Sequence, residues 1–176
     1  MKINDLMHLK GEVLIQAVSN TGELATVVDD RNLIVLSGRN NICNFLIGNS
    51  GSYINDIAFG SGGTVYGNSN VALPVLPIDK TLNAIIAATK VPDNSGFADY
   101  TFQANVESSP SPRIVFSVVV PQSNTILNGQ SGQGQPINEI ALMLNSVIPT
   151  AFAIKRFPTI YKSDTISLLI TWTIYI

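Results

Sequence analysis

The most suggestive chemistry in this sequence is a glycine-rich loop at 60–64, which reads Gly-Ser-Gly-Gly-Thr and directly follows an apolar run. Backbone N–H groups of such a loop can cradle a phosphate when the loop ends in Gly-Lys-Ser/Thr and opens a helix. Here there is no lysine, and Val65 leads into a segment without helical periodicity. We therefore interpret residues 60–64 as a tight turn that uses the positive φ angles open to glycine.

A second candidate is a pair of carboxylates, Asp56 and Glu139, which hold matching positions in two nearly repeated segments. The segments read Ile-Asn-Asp-Ile-Ala-Phe around Asp56 and Ile-Asn-Glu-Ile-Ala-Leu around Glu139. Two carboxylates facing each other across a sugar cleft are the machinery of glycosidases. Each acid lies within an apolar strand pattern, so we expect it to point outward or to pair with a backbone amide or with Lys155 or Arg156. The repetition itself predicts two equivalent strands in one all-β body.

The single cysteine and the single histidine are the remaining candidates for catalysis or metal binding. Cys43 lies among Ile42, Phe45 and Leu46, surroundings that predict a buried small hydrophobe. A thiol–imidazole dyad would require Cys43 to meet His8, which lies far away in sequence. One cysteine forms no intrachain disulfide, and no Cys/His spacing suits zinc. The sequence therefore predicts no catalytic residue, no metal site and no cofactor.

Low charge is the main compositional feature. Charged residues make up 12% of the 176 residues, about half the usual share, whereas 45% are hydrophobic. A surface of amides, hydroxyls and apolar groups is cheaper to desolvate than a charged surface. Because interface cores are depleted in charge, we expect an assembly subunit, a homo-oligomer included, rather than a free monomer.

Charge and hydropathy also bear on other partners. The net charge is −2 and Lys155-Arg156 is the only adjacent basic pair, so we expect no nucleic-acid binding. No apolar run approaches the roughly 20 residues that span a bilayer, and the N-terminus lacks the apolar core of a signal peptide. We therefore expect synthesis in the cytoplasm and no membrane insertion.

Short β-rich runs alternate with turn clusters, which predicts an all-β, antiparallel β-sandwich of jelly-roll or immunoglobulin-like type. Residues 1–36 are predicted to form an N-terminal hairpin region packed on or extending from the body, and residues 37–176 the sandwich domain. Residues 65–79 are predicted to form a long irregular connection that crosses between two strands. The predicted strands are 12–18, 24–28, 33–36, 53–59, 81–89 (where alanines also allow a helix), 98–107, 114–120, 137–144, 150–157 and 166–176, with turns at 29–32 and 158–163 among them.

One short helix is predicted near 38–47, because apolar residues fall on one face at helical spacing. Ser37 is the expected N-cap and Gly48 the expected stop. The predicted buried face consists of Ile42, Cys43, Phe45, Leu46 and Ile47.

The final run, 166–176, alternates apolar and mostly polar residues without interruption. We interpret Trp172 as the central core aromatic rather than as a ligand-stacking residue, because it lies on the apolar face. The chain is expected to end inside the core at Ile176. The apolar face consists of Ile166, Leu168, Ile170, Trp172, Ile174 and Ile176.

Several short sequence motifs, taken in their order along the chain, resemble those of a known class of proteins. These are Asn-Leu-Ile-Val at 32–35 with Ser-Gly after it, Ile-Ala-Phe-Gly at 57–60 with Gly-Gly-Thr after it, and Lys-Arg-Phe-Pro at 155–158 before the last strand. Over most of its length the chain resembles small all-β virion proteins of tailed bacteriophages, of the kind found in tail fibres, baseplates, collars and head decorations. The resemblance implies a non-enzymatic structural subunit in the virion, with other virion proteins and copies of itself as partners.

Two other functions stay open. A host-receptor or carbohydrate-binding module at a fibre tip would contact a host surface glycan through exposed tyrosines beside the amide-rich loop 124–136. The candidates are Tyr53, Tyr66, Tyr100 and Tyr161 with Asn124, Asn128, Gln130, Gln133 and Gln135. A glycan depolymerase would require two facing carboxylates in a cleft.

Overall fold

A computed structural model describes residues 9–49, 51–88, 101–108, 111–128 and 134–176, which form eleven strands and two helices. In chain order these are β1 (Lys10–Ser19), β2 (Leu24–Ile34), α1 (Leu36–Leu46), β3 (Ile54–Gly60), β4 (Thr64–Val65), β5 (Asn68–Ala72), β6 (Ile85–Ala88), β7 (Thr101–Glu107), β8 (Arg113–Val120), α2 (Thr125–Asn128), β9 (Gln135–Leu144), β10 (Thr150–Lys162) and β11 (Ile166–Tyr175).

Nine strands form one antiparallel sheet in the order β6-β3-β9-β10-β2-β1-β11-β8-β7, and β4 and β5 form a separate hairpin. The sheet curls at β2, where residues 24–32 pair with β1 while Leu33 and Ile34 pair with β10. The two resulting halves share one buried apolar cluster, to which Trp172 of β11 and Phe59 of β3 both belong. The predicted all-β, antiparallel, sandwich-like fold is confirmed.

The predicted N-terminal hairpin is confirmed, with Gly22 at φ 83° in its turn. The predicted turn at 29–32 is wrong, because β2 continues through it. The polar residues there are strand residues that contact β10: Lys155 Nζ donates to Asp30 Oδ2 at 2.5 Å and to the Arg31 carbonyl at 3.0 Å. Residues 33 and 34 are thus the end of β2 rather than a separate strand.

The predicted corner at 158–163 is also wrong. β10 runs through it to Lys162, and the register with β9 shifts between Arg156 and Ile160. Such a bulge accommodates Pro158, which has no N–H to give to the ladder.

Helix α1 is confirmed, but its first turn differs from the prediction. Val35 is the N-cap, and Ser37 donates instead to the Ala151 carbonyl of β10 at 2.5 Å. Gly48 follows the helix at φ 78°, as its role as a stop predicts. Gly38 is buried, and a Cβ there would lie 2.2 Å from the Phe152 carbonyl oxygen. The first turn of α1 therefore lies directly on β10.

The predicted buried face of α1 is wrong. Ile42 packs against the core, whereas Phe45, Leu46 and Ile47 are 66%, 69% and 72% exposed. Cys43 is exposed too, contrary to the prediction of a buried thiol. Contact with β10 fixes the rotation of the helix, and this rotation turns most of its apolar residues outward.

Strand β11 confirms the predicted alternation at Leu168, Ile170, Trp172 and Ile174, all of which are buried. Ile176 is 58% exposed, so the expectation that the chain ends inside the core is wrong. Its backbone N–H donates to the Pro112 carbonyl at 3.3 Å, at the end of the sheet.

Strand β7 departs further from the prediction. Val106 is exposed on β7, which pairs with β8 at one end of the described sheet. Tyr100, expected on the same apolar face, lies outside the described residues.

The segment 61–84, here called the crossing, runs from β3 to β6. It contains the β4–β5 hairpin and then covers the outer face of the sheet, where Val75 and Leu82 pack on Ala58, Ala141 and Ile154. These small and branched side chains alternate with the core residues of the same strands, so the sheet is buried on both faces here.

Candidate functional site

The two carboxylates of the repeated segments do not face each other. Strands β3 and β9 are antiparallel neighbours with Ala58 opposite Ala141, so the segments are related by a local twofold axis between those alanines. Asp56 lies opposite Met143 and Glu139 opposite Gly60. The acids are thus four steps apart along the ladder, about 13 Å at ~3.3 Å per residue. This is not the arrangement of a carboxylate pair across one sugar ring.

Glu139 is fully buried, and its oxygens are used within the protein. Oε1 accepts from the backbone N–H of Gly62 at 3.2 Å and of Ala84 at 2.9 Å. Oε2 accepts from Arg156 Nε at 3.3 Å. The predicted pairing of this carboxylate with Arg156 is confirmed, and the N–H groups come from the two ends of the crossing.

Arg156 lies opposite Glu139 in the ladder and reaches three further acceptors. Its Nη1 is 2.7 Å from the Pro74 carbonyl and 3.1 Å from Asp79 Oδ2, and its Nη2 donates to Asn83 Oδ1 at 3.1 Å. All three acceptors belong to the crossing. The planar guanidinium therefore ties an irregular segment to the sheet by several bonds at once.

The glycine-rich loop packs closely onto the same strands. Gly63 N–H donates to Asn138 Oδ1 at 2.6 Å, and Asn138 Nδ2 donates to Thr64 Oγ1 at 3.2 Å. A Cβ on Gly63 would lie 2.3 Å from the Asn138 carbonyl oxygen, and one on Gly62 2.5 Å from Asn83 Cβ.

These contacts decide between the two interpretations of the loop. The amides of Gly62 and Gly63 already donate to protein side chains, so they form no phosphate cradle. The prediction of positive φ angles is wrong, because the described glycines with positive φ are Gly22, Gly48, Gly67 and Gly134. Glycine is required at 62 and 63 by close approach instead.

Lys162 is a buried cation that the sequence analysis did not single out. Its Nζ donates to Asn128 Oδ1, to the Ser163 carbonyl at 3.0 Å and to the Gln122 carbonyl at 3.5 Å. Burial lowers the pKa of Lys162 to about 8. No sequence signal marked this site, because Lys162 lies in the predicted turn at 158–163, where a lysine usually faces water.

The amide-rich loop is only partly a surface feature. Asn124 and Asn128 are buried: Asn124 Oδ1 accepts from Leu127 N–H at 2.9 Å, and Asn128 is a partner of Lys162. Gln130 and Gln133 lie outside the described residues, as does His8.

The described candidate tyrosines are exposed but lie on separate elements. Tyr53 precedes β3, Tyr66 lies in the β4–β5 turn, and Tyr161 lies in β10 opposite Pro136. Of these, Tyr161 is the one beside the described end of the amide-rich loop.

An apolar groove with a volume of about 320 Å³ lies beside α1. Its walls come from α1, β3, β8 and β11 and from Leu9. The exposed large residues that line it are Phe45, Leu46, Tyr53 and Ile176, and these four together with the adjacent exposed Ile47 are here called the apolar end. The sequence pattern did not indicate this surface, because helical spacing and strand alternation assigned Phe45, Leu46, Ile47 and Ile176 to the core, and Tyr53 was predicted to be exposed as a candidate for glycan contact.

The described residues show neither a metal-binding cluster nor a membrane-spanning helix. No group of three or more His, Cys, Asp or Glu residues there has the geometry of a metal site. No described helix has both the length and the hydropathy that crossing a bilayer requires.

The fold and these clusters define an all-β, sandwich-like protein whose buried polar groups hold its own segments together. No protein-family model, curated protein or solved structure matches this chain.

Proposed function

We propose that this chain is a non-enzymatic structural subunit that acts through protein–protein assembly, in a tailed-phage virion as its sequence resemblance implies. The observation that carries the assembly proposal is the apolar end. Phe45, Leu46 and Ile47 are each about two thirds or more exposed. A surface helix normally turns its apolar side chains to the core.

Several features of the apolar end suit an interface. The large side chains lie together around the groove, rather than singly as exposed apolar residues usually do. None of the residues of the apolar end carries a charged side chain, and the charged residue of α1, Arg39, lies in the first turn, where its Nε donates to the Ile34 carbonyl at 3.1 Å. An uncharged apolar centre of this kind is what interface cores share.

The partners we propose are copies of this chain and other virion proteins. Most homo-oligomers have closed symmetry, most often that of a twofold dimer, whose interface uses the same surface patch on both subunits. Repeated contacts also add through multivalency, so a patch of modest size suffices in an assembly.

The mass of the purified protein in solution, measured by light scattering across a concentration series, tests the assembly proposal. We expect an oligomer that the double variant Phe45→Ser/Leu46→Ser converts to a monomer. Leu24→Ser removes an exposed apolar side chain from β2, away from α1, and is the matched control. A wild-type monomer at every concentration, or an equal effect of the control, would contradict the proposal.

The virion location needs a test of its own. An antibody raised against this chain is expected to label intact phage particles at regular positions. Particles that carry no label, when the antibody recognises the free protein, would rule out this location while leaving assembly itself standing.

One observation favours a second candidate, a glycan-binding module. Tyr161 is 59% exposed and lies opposite Pro136, beside the amide-rich loop. Sugars stack on such aromatic faces, and amides bond their hydroxyl groups without a charge penalty. A glycan array with the wild type and with Tyr161→Ala tests it. Binding that is lost in the variant would support this candidate.

A further inference from the structure

Another cleft of the described surface lies along the β4–β5 hairpin and is here called the hairpin cleft. Its volume is about 490 Å³, within the range of about 300–1,000 Å³ that is usual for small-molecule sites. All of its lining residues lie between Ser61 and Ser69, and no residue in this range carries a charged side chain. An occupant therefore meets hydroxyl, amide and aromatic groups in the lining, and no ionic group.

The polar groups of the hairpin cleft have hydrogen-bonding capacity left for a ligand. The hydroxyl groups of Ser61, Tyr66 and Ser69 have no hydrogen-bond partner among the residues that the structure describes. Asn68 Oδ1 accepts from the Asn70 N–H at 3.1 Å, whereas Asn68 Nδ2 donates to no described residue. Hydroxyl and amide groups can both donate and accept, so together they suit a ligand that is rich in hydroxyl groups.

Tyr66 gives the hairpin cleft an apolar face. It is fully exposed and lies next to Gly67, which has a φ angle of 76° in the hairpin turn. The ring of a tyrosine is apolar and its hydroxyl is polar, a combination that favours a partner with both kinds of surface. A sugar ring is such a partner, because it presents C–H groups on its faces and hydroxyl groups at its rim.

We propose that the hairpin cleft binds a neutral saccharide, which stacks on Tyr66 and exchanges hydrogen bonds with Ser61, Asn68 and Ser69. A phosphate or carboxylate group on the sugar would leave water without a cation in the lining to receive it, which is costly. The ligand class is that of the second candidate function, but the site differs from the surface around Tyr161. The hairpin cleft is also separate from the apolar end, so the proposal does not depend on assembly.

The floor of the hairpin cleft is held in place by the protein itself. Gly62 N–H donates to Glu139 Oε1 at 3.2 Å, and Thr64 Oγ1 accepts from Asn138 Nδ2 at 3.2 Å. Glu139 and Asn138 are both buried in β9. Binding to a loop that is already fixed costs less conformational entropy than binding to a loop that must first be ordered. The buried polar groups that attach the crossing thus also position the sugar site.

A titration followed by two-dimensional NMR of the nitrogen-15-labelled full chain tests the proposal. The probes are the methyl glycosides of glucose, galactose and N-acetylglucosamine, with glucuronic acid as the charged comparison. We expect at least one neutral probe to cause saturable shifts of the backbone amides at 65–69, with a Kd on the order of 1 mM, and glucuronic acid to bind several-fold more weakly. Binding of no neutral probe, or equal binding of glucuronic acid, would overturn the proposal.

Three tyrosine variants then locate the bound sugar. Tyr66→Ala should weaken binding by about tenfold, because it removes the stacking face, whereas Tyr66→Phe keeps that face and should stay within about threefold of the wild type. Tyr161→Ala is the matched control and should bind as the wild type does. An unchanged Kd in Tyr66→Ala would overturn the proposal. A loss confined to Tyr161→Ala would also overturn it, and would assign the sugar to the site of the second candidate function.

The same titration separates this proposal from the assembly proposal. The double variant Phe45→Ser/Leu46→Ser should bind the sugar with the Kd of the wild type, whether or not the wild type forms oligomers. Loss of sugar binding in the double variant would place the saccharide at the apolar end and would overturn the assignment to the hairpin cleft.

Discussion

At the residue scale, Lys162 is a buried cation, and burying its ammonium group costs solvation free energy. A buried ammonium is tolerated here because three oxygens surround it, from Asn128, Ser163 and Gln122. Gln122 and Asn128 lie before and within α2, whereas Ser163 follows β10, so the lysine ties residues 122–128 to the end of β10. Desolvation still disfavours the charged form, which is why burial lowers the pKa of Lys162 to about 8.

This shift predicts a pH dependence of stability. Between about pH 8 and 10.5 the unfolded chain keeps the Lys162 proton while the folded protein releases it, so the free energy of unfolding increases with pH. We expect a rise of about 1–3 kcal/mol, since each unit of pKa difference corresponds to about 1.4 kcal/mol. Denaturant unfolding at pH 8, 9 and 10 measures it, and Lys162→Met should abolish the slope.

Tyr175 needs a control in that experiment. Its hydroxyl donates to Glu12 Oε2 at 2.8 Å, and this hydrogen bond raises the pKa of Tyr175. The unfolded chain then loses the phenol proton first, so this group lowers stability above about pH 10. The comparison is therefore made in a Tyr175→Phe background. A slope that persists in Lys162→Met would contradict the assignment.

At the element scale, the crossing is a mostly irregular segment that is attached to the sheet by a buried ion pair. Glu139 accepts hydrogen bonds from backbone N–H groups at both ends of the crossing. Arg156 reaches acceptors at Pro74, Asp79 and Asn83. Residues of the crossing outside the β4–β5 hairpin thus obtain several of their hydrogen-bond partners from one pair of side chains. The cover of Val75 and Leu82 over the sheet depends on this attachment.

We expect Glu139→Ala to lower the free energy of unfolding by about 3–5 kcal/mol, because it leaves a buried guanidinium without this carboxylate and two amides without an acceptor. The matched control is Glu107→Ala, which breaks the exposed Glu107–Arg113 pair and should cost under about 1 kcal/mol. Faster hydrogen exchange at Gly62 and Ala84 is expected in Glu139→Ala. Equal losses in the two variants would show that the buried pair has no special role.

Contacts between elements also explain why the position of α1 was predicted correctly and its buried face was not. The helical spacing of its apolar residues and its stop at Gly48 are local properties, and both were read correctly. Its buried face was not, because Gly38 allows the first turn to touch the Phe152 backbone and so sets the rotation of the whole helix. That contact joins residues more than a hundred positions apart.

At the scale of the whole molecule, one core is shared by the two halves of a curled sheet. β2 joins the halves, and the buried cluster draws on strands from both. Trp172 is fully buried within it. Its Nε1 has no hydrogen-bond partner among the described residues, so the indole is held by packing alone.

We therefore expect Trp172→Ala to cost about 3–5 kcal/mol, the usual range for a large core truncation. Trp172→Phe should cost clearly less, because it keeps an aromatic ring and loses no hydrogen bond. Thr173→Ala, its half-buried neighbour on the other face, is the matched control. Denaturant midpoints for the three variants measure this order, and wild-type stability of Trp172→Ala would disprove the core assignment.

The sequence by itself determined the all-β class, the first hairpin, the existence and the end of α1, and the buried alternation from Leu168 to Ile174. These depend on period and turn chemistry, which are properties of neighbouring residues. Only the tertiary structure decided that β2 runs through its polar stretch, that Glu139 binds the crossing, and that α1 turns Phe45 and Leu46 outward. Each of these depends on contacts between distant segments, and no local pattern encodes which face of an element such contacts will cover.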